Sequence, residues 1–439
     1  MAFRGGGHGG EVSQVVYPVS LFLPESDLAP VGKSVDRVIQ GLTKWQPQEK
    51  VVVGKSSRIE ASGTDYEDAV AKLNLLFQRK LWSDGLPIVP PTSRRVDWLM
   101  RGTDRDRKEL VGRIMPRGGA ATIETFAVSL AMAGGRPEYM PVLIAAMESI
   151  LQSRCRHQSW NSTTCGTFPA VVVNGPVAGQ IRLNSGYGCL GPHPLKPAGA
   201  AIGRAIRLLL QNVGGAVPEA GTMSIYGSPA RYANVVFAED EDGLPAGWKT
   251  LASERGFASA HGAVTVLPVS CASNLVGTET GTEDQARATL DRYAGFMGAP
   301  NGNYYSLGAF NGSPGILLMG RGTAEGLQKF GWSKENIRKY LWENSKIPQF
   351  KLRGLDWLKA EMSSHQLTKA DLDQDPMPIS RKPENIIIVV AGGAQSGHGY
   401  WMQVGCCTEG PTSSEIKLPF HWEALIAQAE EDLGPRKLP

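Results

Sequence analysis

The chain has 439 residues, of which 45 are basic and 42 acidic, so its charge is nearly balanced. A chain this long builds a sizeable core and has room for two or three domains. No basic run carries interleaved aromatics, which argues against nucleic acid as a main partner. No stretch reaches the roughly 18 apolar residues that span a bilayer, so no membrane partner is expected. The glycine-rich start lacks a secretory profile, and 6 cysteines do not make a disulfide scaffold at this length. The expectation is a cytoplasmic protein.

Residues 1–63 read as an extended arm. Pro18, Pro24, Pro30 and Pro47 interrupt every candidate element, and the apolar runs 19–23 and 51–53 are suited to adding strands to another surface. A polar arm that cannot build its own core suits wrapping a neighbouring subunit, so a homo-oligomer is expected.

From Thr64 onward helical periodicity sets in. Thr64 and Glu67 have capping-box spacing, and Val70, Leu73, Leu76 and Phe77 share one face. Prolines 87, 90 and 91 end that helix. Further helices are predicted from Val96, over 120–133, and over 140–151 with Pro141 in the first turn. Residues 169–176 read as a buried strand stopped by Asn174-Gly175-Pro176, and 198–212 as a helix. Strands follow at 233–238 and 263–268, then a strand at 315–319, a helix at 334–344 and a strand at 386–390.

Strands separated by helices predict an α/β fold, with mixed or mainly parallel sheets flanked by helices. Asn174-Gly175-Pro176 and Ala391-Gly392-Gly393-Ala394 both follow apolar strands, which raises the expectation of two related lobes. The corresponding division is 64–285 as a central α/β domain and 286–439 as a C-terminal lobe with a tail.

Glycine, at 52 residues, is the compositional outlier, and most glycines punctuate apolar runs. Only glycine takes positive φ at little cost, so such loops suit close approach to a ligand. The loop 185–193, Ser-Gly-Tyr-Gly-Cys-Leu-Gly-Pro-His, opens the helix at Ala198, where free amides make an anion site. Asn174, Ser185, Gly186, Arg136 and Arg204 are the candidate substrate-binding residues. The structural alternative is a loop that serves only helix–strand packing.

Cysteine and histidine crowd the same region. Cys189 precedes a helix and stands four residues before His193, so a nearby imidazole and helix start could favour its thiolate. Cys165, between Thr163-Thr164 and a strand, is the second candidate nucleophile. Cys155, His157, Cys189 and His193 form two donor pairs that could hold a metal from facing loops, but no CxxC pair is present and scattered buried cysteines are the simpler reading. Glu138, beside Arg136, is the leading acid–base candidate. Glu254-Arg255 reads as an ion pair pinning a loop, and Glu239-Asp240-Glu241-Asp242 as a solvated turn. Cys406-Cys407 is a vicinal pair whose thiols could be redox-labile. No dinucleotide fingerprint, Walker loop, nucleophile elbow, HExxH or CxxCH is present, so no nucleotide, flavin or haem cofactor is indicated.

Six stretches occur in order: Leu81-Trp82-Ser83-Asp84-Gly85-Leu86-Pro87, Arg136-Pro137-Glu138-Tyr139-Met140-Pro141, Val173-Asn174-Gly175-Pro176, Ile202-Gly203-Arg204-Ala205, Asn212-Val213-Gly214-Gly215 and Glu254-Arg255-Gly256-Phe257. Together they resemble a bacterial family associated with UGSC-type (seleno)proteins, across roughly residues 64–270. Gly331-Trp332-Ser333-Lys334 and Val390-Ala391-Gly392-Gly393-Ala394 are similar too. The resemblance implies thiol chemistry and a small thiol protein as a partner. The Gly-Ser-Cys motif itself is absent, Gly405-Cys406-Cys407-Thr408 being the nearest run. Where relatives read Gly-Pro-Gly-Asn, this chain has Gly191-Pro192-His193-Pro194, so family catalytic residues are not carried over.

The leading expectation is an enzyme acting on a small polar or anionic molecule in a thiol- and imidazole-lined pocket. Lyase, hydrolase and thiol-redox chemistries are not separated by sequence. The alternatives are a non-catalytic partner subunit of a small redox protein and a metal-dependent hydrolase or hydratase.

Overall fold

The computed structural model describes residues 25, 27–44, 59–258, 260–299, 304–305, 308–352 and 367–436. They fall into two units, divided after Glu60. In the first, Ala29–Lys33 and Val35–Thr43 are helical where the prolines predicted no regular element. Pro30 lies in the first turn, where its missing amide hydrogen breaks no bond. The strand candidates at 19–23 and 51–53 lie outside the described residues.

The second unit begins with the helix Tyr66–Arg79. Its N-cap is Asp65, whose side chain accepts from the Asp68 amide, one residue later than expected. Thr64 instead donates its own amide to Asp68 Oδ2. Ser93–Met100 follows, capped by Thr92. A hairpin of β1 (Leu110–Ile114) and β2 (Gly119–Thr122) replaces the start of the helix expected at 120. That helix runs Ile123–Met132, because Thr122 and Thr125 close a reciprocal capping box there. Met140–Leu151 forms as predicted, with Pro141 in its first turn.

The remaining strands make one mixed, curled sheet: β3 (Phe168–Asn174), β4 (Val235–Ala238), β5 (Ala263–Val276), β6 (Gly315–Met319), β7 (Ile387–Val390), β8 (His398–Val404) and β9 (Thr412–Glu415). The order is β4-β3-β5-β8-β6-β7, with β9 also pairing β5. Residues 64–285 and 286–439 therefore contribute halves of one sheet. Each half repeats the same plan. β4 lies parallel to β3 and β5 antiparallel to it, while β7 lies parallel to β6 and β8 antiparallel to it. The halves join through the antiparallel β5–β8 and β5–β9 pairs. In this plan β3 corresponds to β6 and β4 to β7, so the glycine turns after β3 and β7 do not close equivalent strands.

Alternation along β3 shows why its run is apolar throughout. Ala170 and Val172 pack into one core with the helices Glu283–Met297 and Lys334–Asn344. Val171 and Val173 pack into the other, with Met140–Leu151 and Ala198–Leu208. A strand covered on both faces has no side facing water. The curl brings the strand ends of the two halves together. The Asp240 amide donates to Val390 O at 2.7 Å, and Arg321 grips Asp240 through two bonds of 3.0 and 2.9 Å. No helix among the described residues is long and apolar enough to cross a membrane.

Candidate functional site

Beside this junction lies a cleft of about 600 Å³, a volume ordinary for a small-molecule site. Its floor is a row of cross-strand partners, Asn274 on β5, Tyr400 on β8 and Leu318 on β6, which register on neighbouring strands. One wall is residues 187–191, and the other is Ala391-Gly392-Gly393 with Gln395 and His398. The walls are tied by the Gly392 amide, which donates to Ser185 O at 2.8 Å. Gly188 (φ +69) and Gly392 (φ +109) hold left-handed backbone that a side chain would strain.

Asn184 organises the first wall. Its Nδ2 donates to Tyr187 O at 2.8 Å, while its Oδ1 accepts from the Gly186 amide at 3.1 Å and Lys196 Nζ at 2.9 Å. The signal for it was available in the sequence, since an Asn before Ser-Gly favours such a side-chain turn. The cleft lining contains no carboxylate. Among the described residues, the amides of Gly393, Ala394 and Gln395 meet no acceptor.

Of the expected site residues, Cys189 and Gly188 of the loop line this cleft, and His193 does not. Cys189 is 6% exposed, and burial pushes its thiol up to about 11, against the pull of its own amide and the Lys196 charge. It is therefore a neutral thiol near pH 7, contrary to the thiolate expected from its place before a helix. The His193 ring turns back on its own loop, Nδ1 accepting from the Leu195 amide at 3.2 Å. His398 supplies the imidazole in the lining, and its run Gly397-His398-Gly399 carries no motif that would single it out.

The other candidates are engaged elsewhere. Arg204 grips both Asp84 oxygens at 2.9 Å and Pro87 O, fixing the proline segment to the helix Ala198–Leu208. Arg136 bridges Glu138 and Asp432, each at 2.6 Å, and so fastens the C-terminal helix Trp422–Leu433. Glu138 is buried, which raises its pKa, with Arg136 opposing. Asn174 closes the end of β3 by donating to Glu239 at 2.6 Å and Glu241 at 2.8 Å. The acidic run at 239–242 is thus no simple solvated turn, because Glu239 is enclosed and faces Lys334 at 3.4 Å. Glu254 pairs with Arg338 rather than Arg255, which instead bonds Ser413.

The four metal candidates are not assembled. Cys155 is fully buried, its thiol pushed up to about 12 by burial. His157 Nε2 accepts from the Met115 amide at 3.1 Å. No group of three or more His, Cys, Asp or Glu among the described residues has a metal-binding arrangement. Burial lowers the pKa of His157, so folding disfavours its charged form. The stability it contributes is present above the unfolded-state pKa and is lost as pH falls through the lower folded value. Denaturant titrations at pH 7.5 and 5 are expected to show a drop of about 1.4 kcal/mol per unit of depression, and His157→Gln is expected to flatten it.

Cys165 lies away from the cleft, with its thiol against Cys406. Comparison with protein-family models, curated proteins and solved structures finds no match for this chain.

Proposed function

We propose that the chain is a cytoplasmic enzyme that binds a small anionic or polar molecule in the cleft between residues 187–191 and 391–395. The observation that carries this reading is the lining itself. It is ligand-sized, free of carboxylates and bordered by amides without acceptors, with the Lys196 charge close enough to act on Cys189. Backbone amides of this kind receive a carboxylate or phosphate oxygen. His398 moves a proton to or from the bound molecule, while Cys189 acts as a neutral wall and weak donor. The UGSC-like stretches lend support through Val390-Ala391-Gly392-Gly393-Ala394, whose central three residues line one wall. A homo-oligomer and a small thiol partner belong to the same reading.

Calorimetric titration of the full chain with small mono- and dicarboxylates and inorganic phosphate tests it. At least one is expected to bind, and Gly393→Val is expected to weaken binding about tenfold or more, or at least 1.4 kcal/mol. A Cβ at Gly393 would sit 2.3 Å from the Tyr187 ring, on the cleft side of the wall. Once a substrate is found, His398→Asn is expected to abolish turnover and Cys189→Ser to retain it. Binding that ignores Gly393→Val, or no binding by any member of the panel, overturns the proposal.

A further inference from the structure

A second cluster lies away from the cleft, at the N-terminal end of β3 and the C-terminal end of β8. Phe168, Val269 and Val404 are successive register partners across β3, β5 and β8, so residues just before β3 and just after β8 are neighbours. The approach is close. A Cβ on Gly405 would sit 2.5 Å from the Thr167 side chain. Cys406, buried, places its sulfur 3.1 Å from Thr163 Oγ1 and 4.0 Å from Thr167 Oγ1. Thr163 Oγ1 also accepts from the Cys165 amide at 3.3 Å, so the half-buried Cys165 is brought close enough to the same sulfur for each thiol to shift the other's titration, and Cys407 acts on it too.

Arg231 completes the cluster. Its guanidinium donates twice to Thr167 O, at 2.9 and 2.7 Å, and no carboxylate pairs with it among the described residues. Burial and the charge of Arg207 pull it down to about 10, while both sulfurs favour its charged form. A half-buried cation without an acid is suited to meet an anion, and thiolate is the anion that this cluster can generate.

We propose that Cys165 and Cys406 are an exchangeable dithiol–disulfide pair, with Arg231 stabilising the thiolates that form during exchange. The oxidant is the disulfide of a small thiol. The Cys165 thiolate attacks one of its sulfurs, the external S–S bond breaks, and the first small thiolate leaves and takes up a proton. Cys406 then loses its proton and attacks the Cys165 sulfur of the mixed disulfide, and the second small thiol departs. Two protein thiols and one disulfide become one protein disulfide and two small thiols. In the resting protein the Cys406 thiol and burial raise the pKa of Cys165. Cys165 lowers the pKa of Cys406, but Cys407 and burial outweigh it. Both thiols therefore begin protonated, and exchange speeds up with pH.

The test uses the full native chain, equilibrated in mixtures of reduced and oxidised glutathione, quenched with acid, alkylated, digested and weighed. The expected result is a single linked peptide pair joining Cys165 to Cys406. It should grow with the oxidised fraction and revert on reduction. Cys407→Ser should leave its midpoint within about threefold, and Arg231→Gln should slow its formation about tenfold, the equivalent of one pKa unit. If all thiols stay alkylatable at every ratio, if the link joins Cys406 to Cys407, or if it forms only in denaturant, the pair is refuted. An unchanged rate in Arg231→Gln overturns the role given to the guanidinium.

Discussion

Lys334→Met is expected to lower the unfolding free energy by about 3–5 kcal/mol above neutral pH, because it strips the cation from a buried carboxylate. Glu239 is enclosed at the end of β4, where its oxygens accept from the Leu251 amide at 2.7 Å, Asn174 at 2.6 Å and Lys334 at 3.4 Å. Lys334 also donates to Lys249 O at 2.7 Å and opens the helix Lys334–Asn344. One contact thus joins an element of each half of the sheet. Burial raises the pKa of Glu239 even with Lys334 opposing. A raised folded-state pKa gives a stabilising contribution that is complete below the unfolded value and lost as pH rises through the folded one.

Removing Lys334 raises that folded value further, so the deficit should be largest at pH 8 and shrink toward pH 5 as Glu239 binds a proton. Urea titrations of both proteins at the two pH values measure it. An equal deficit at both would show that lost packing of the lysine stem, rather than the stranded carboxylate, carries the effect.

Gly262→Ala is expected to cost roughly 3 kcal/mol or more, or to prevent folded protein from accumulating. Gly262 starts the turn into β5 at φ +107, and a Cβ there would lie 1.9 Å from Asn174 O and 2.9 Å from Gly175 Cα. Gly175, at φ +94, faces the same obstruction from the other side, where a Cβ on it would lie 2.5 Å from Gly262 Cα. The obstructing atoms are backbone at the end of β3, held by the β3–β5 ladder, and cannot rotate aside. Gly256→Ala is the comparison. It shares a positive φ of +82 but has open space around it, so only the conformational cost of about 1–2 kcal/mol remains. Thermal unfolding of the two variants separates the clash from the backbone preference, and similar losses would refute the crossing of the two glycines as the cause.

Much of the helical framework is legible locally. Met140–Leu151 and Lys334–Asn344 form at the positions read from sequence, since their ends depend on near neighbours: Pro141 in a first turn, and Ser333 accepting from the Asn336 amide. The hairpin β1–β2 is not legible, because Ala120-Ala121 has helical composition and becomes part of a strand only by pairing with residues 112 and 113. β8 escapes for a related reason. Its mixed run His398–Val404 is held by β5 and β6, which lie far away in the chain. The second half of β5 is polar and half-exposed and carries no strand period of its own.

The candidate site divides along the same line. The glycine loop at 185–193 can be read from residues alone, and so can Cys189 as a member of it. That Gly392 closes on Ser185, that His398 rather than His193 faces the cleft, and that Arg204 is taken by Asp84 depend on contacts between distant segments. Cys165 and Cys406 lie far apart in the sequence, which sets Cys406 beside Cys407 instead, and become neighbours through the register of β3, β5 and β8.

By itself the sequence determined the α/β class and the uninterrupted apolar strands β3, β4, β6 and β7, since apolar runs act on neighbouring residues. Only the tertiary structure decided which loops share a cleft, which thiols meet and which charges are buried. Those depend on sheet order and on the cost of desolvating a charge, and neither is written in any local stretch of chain.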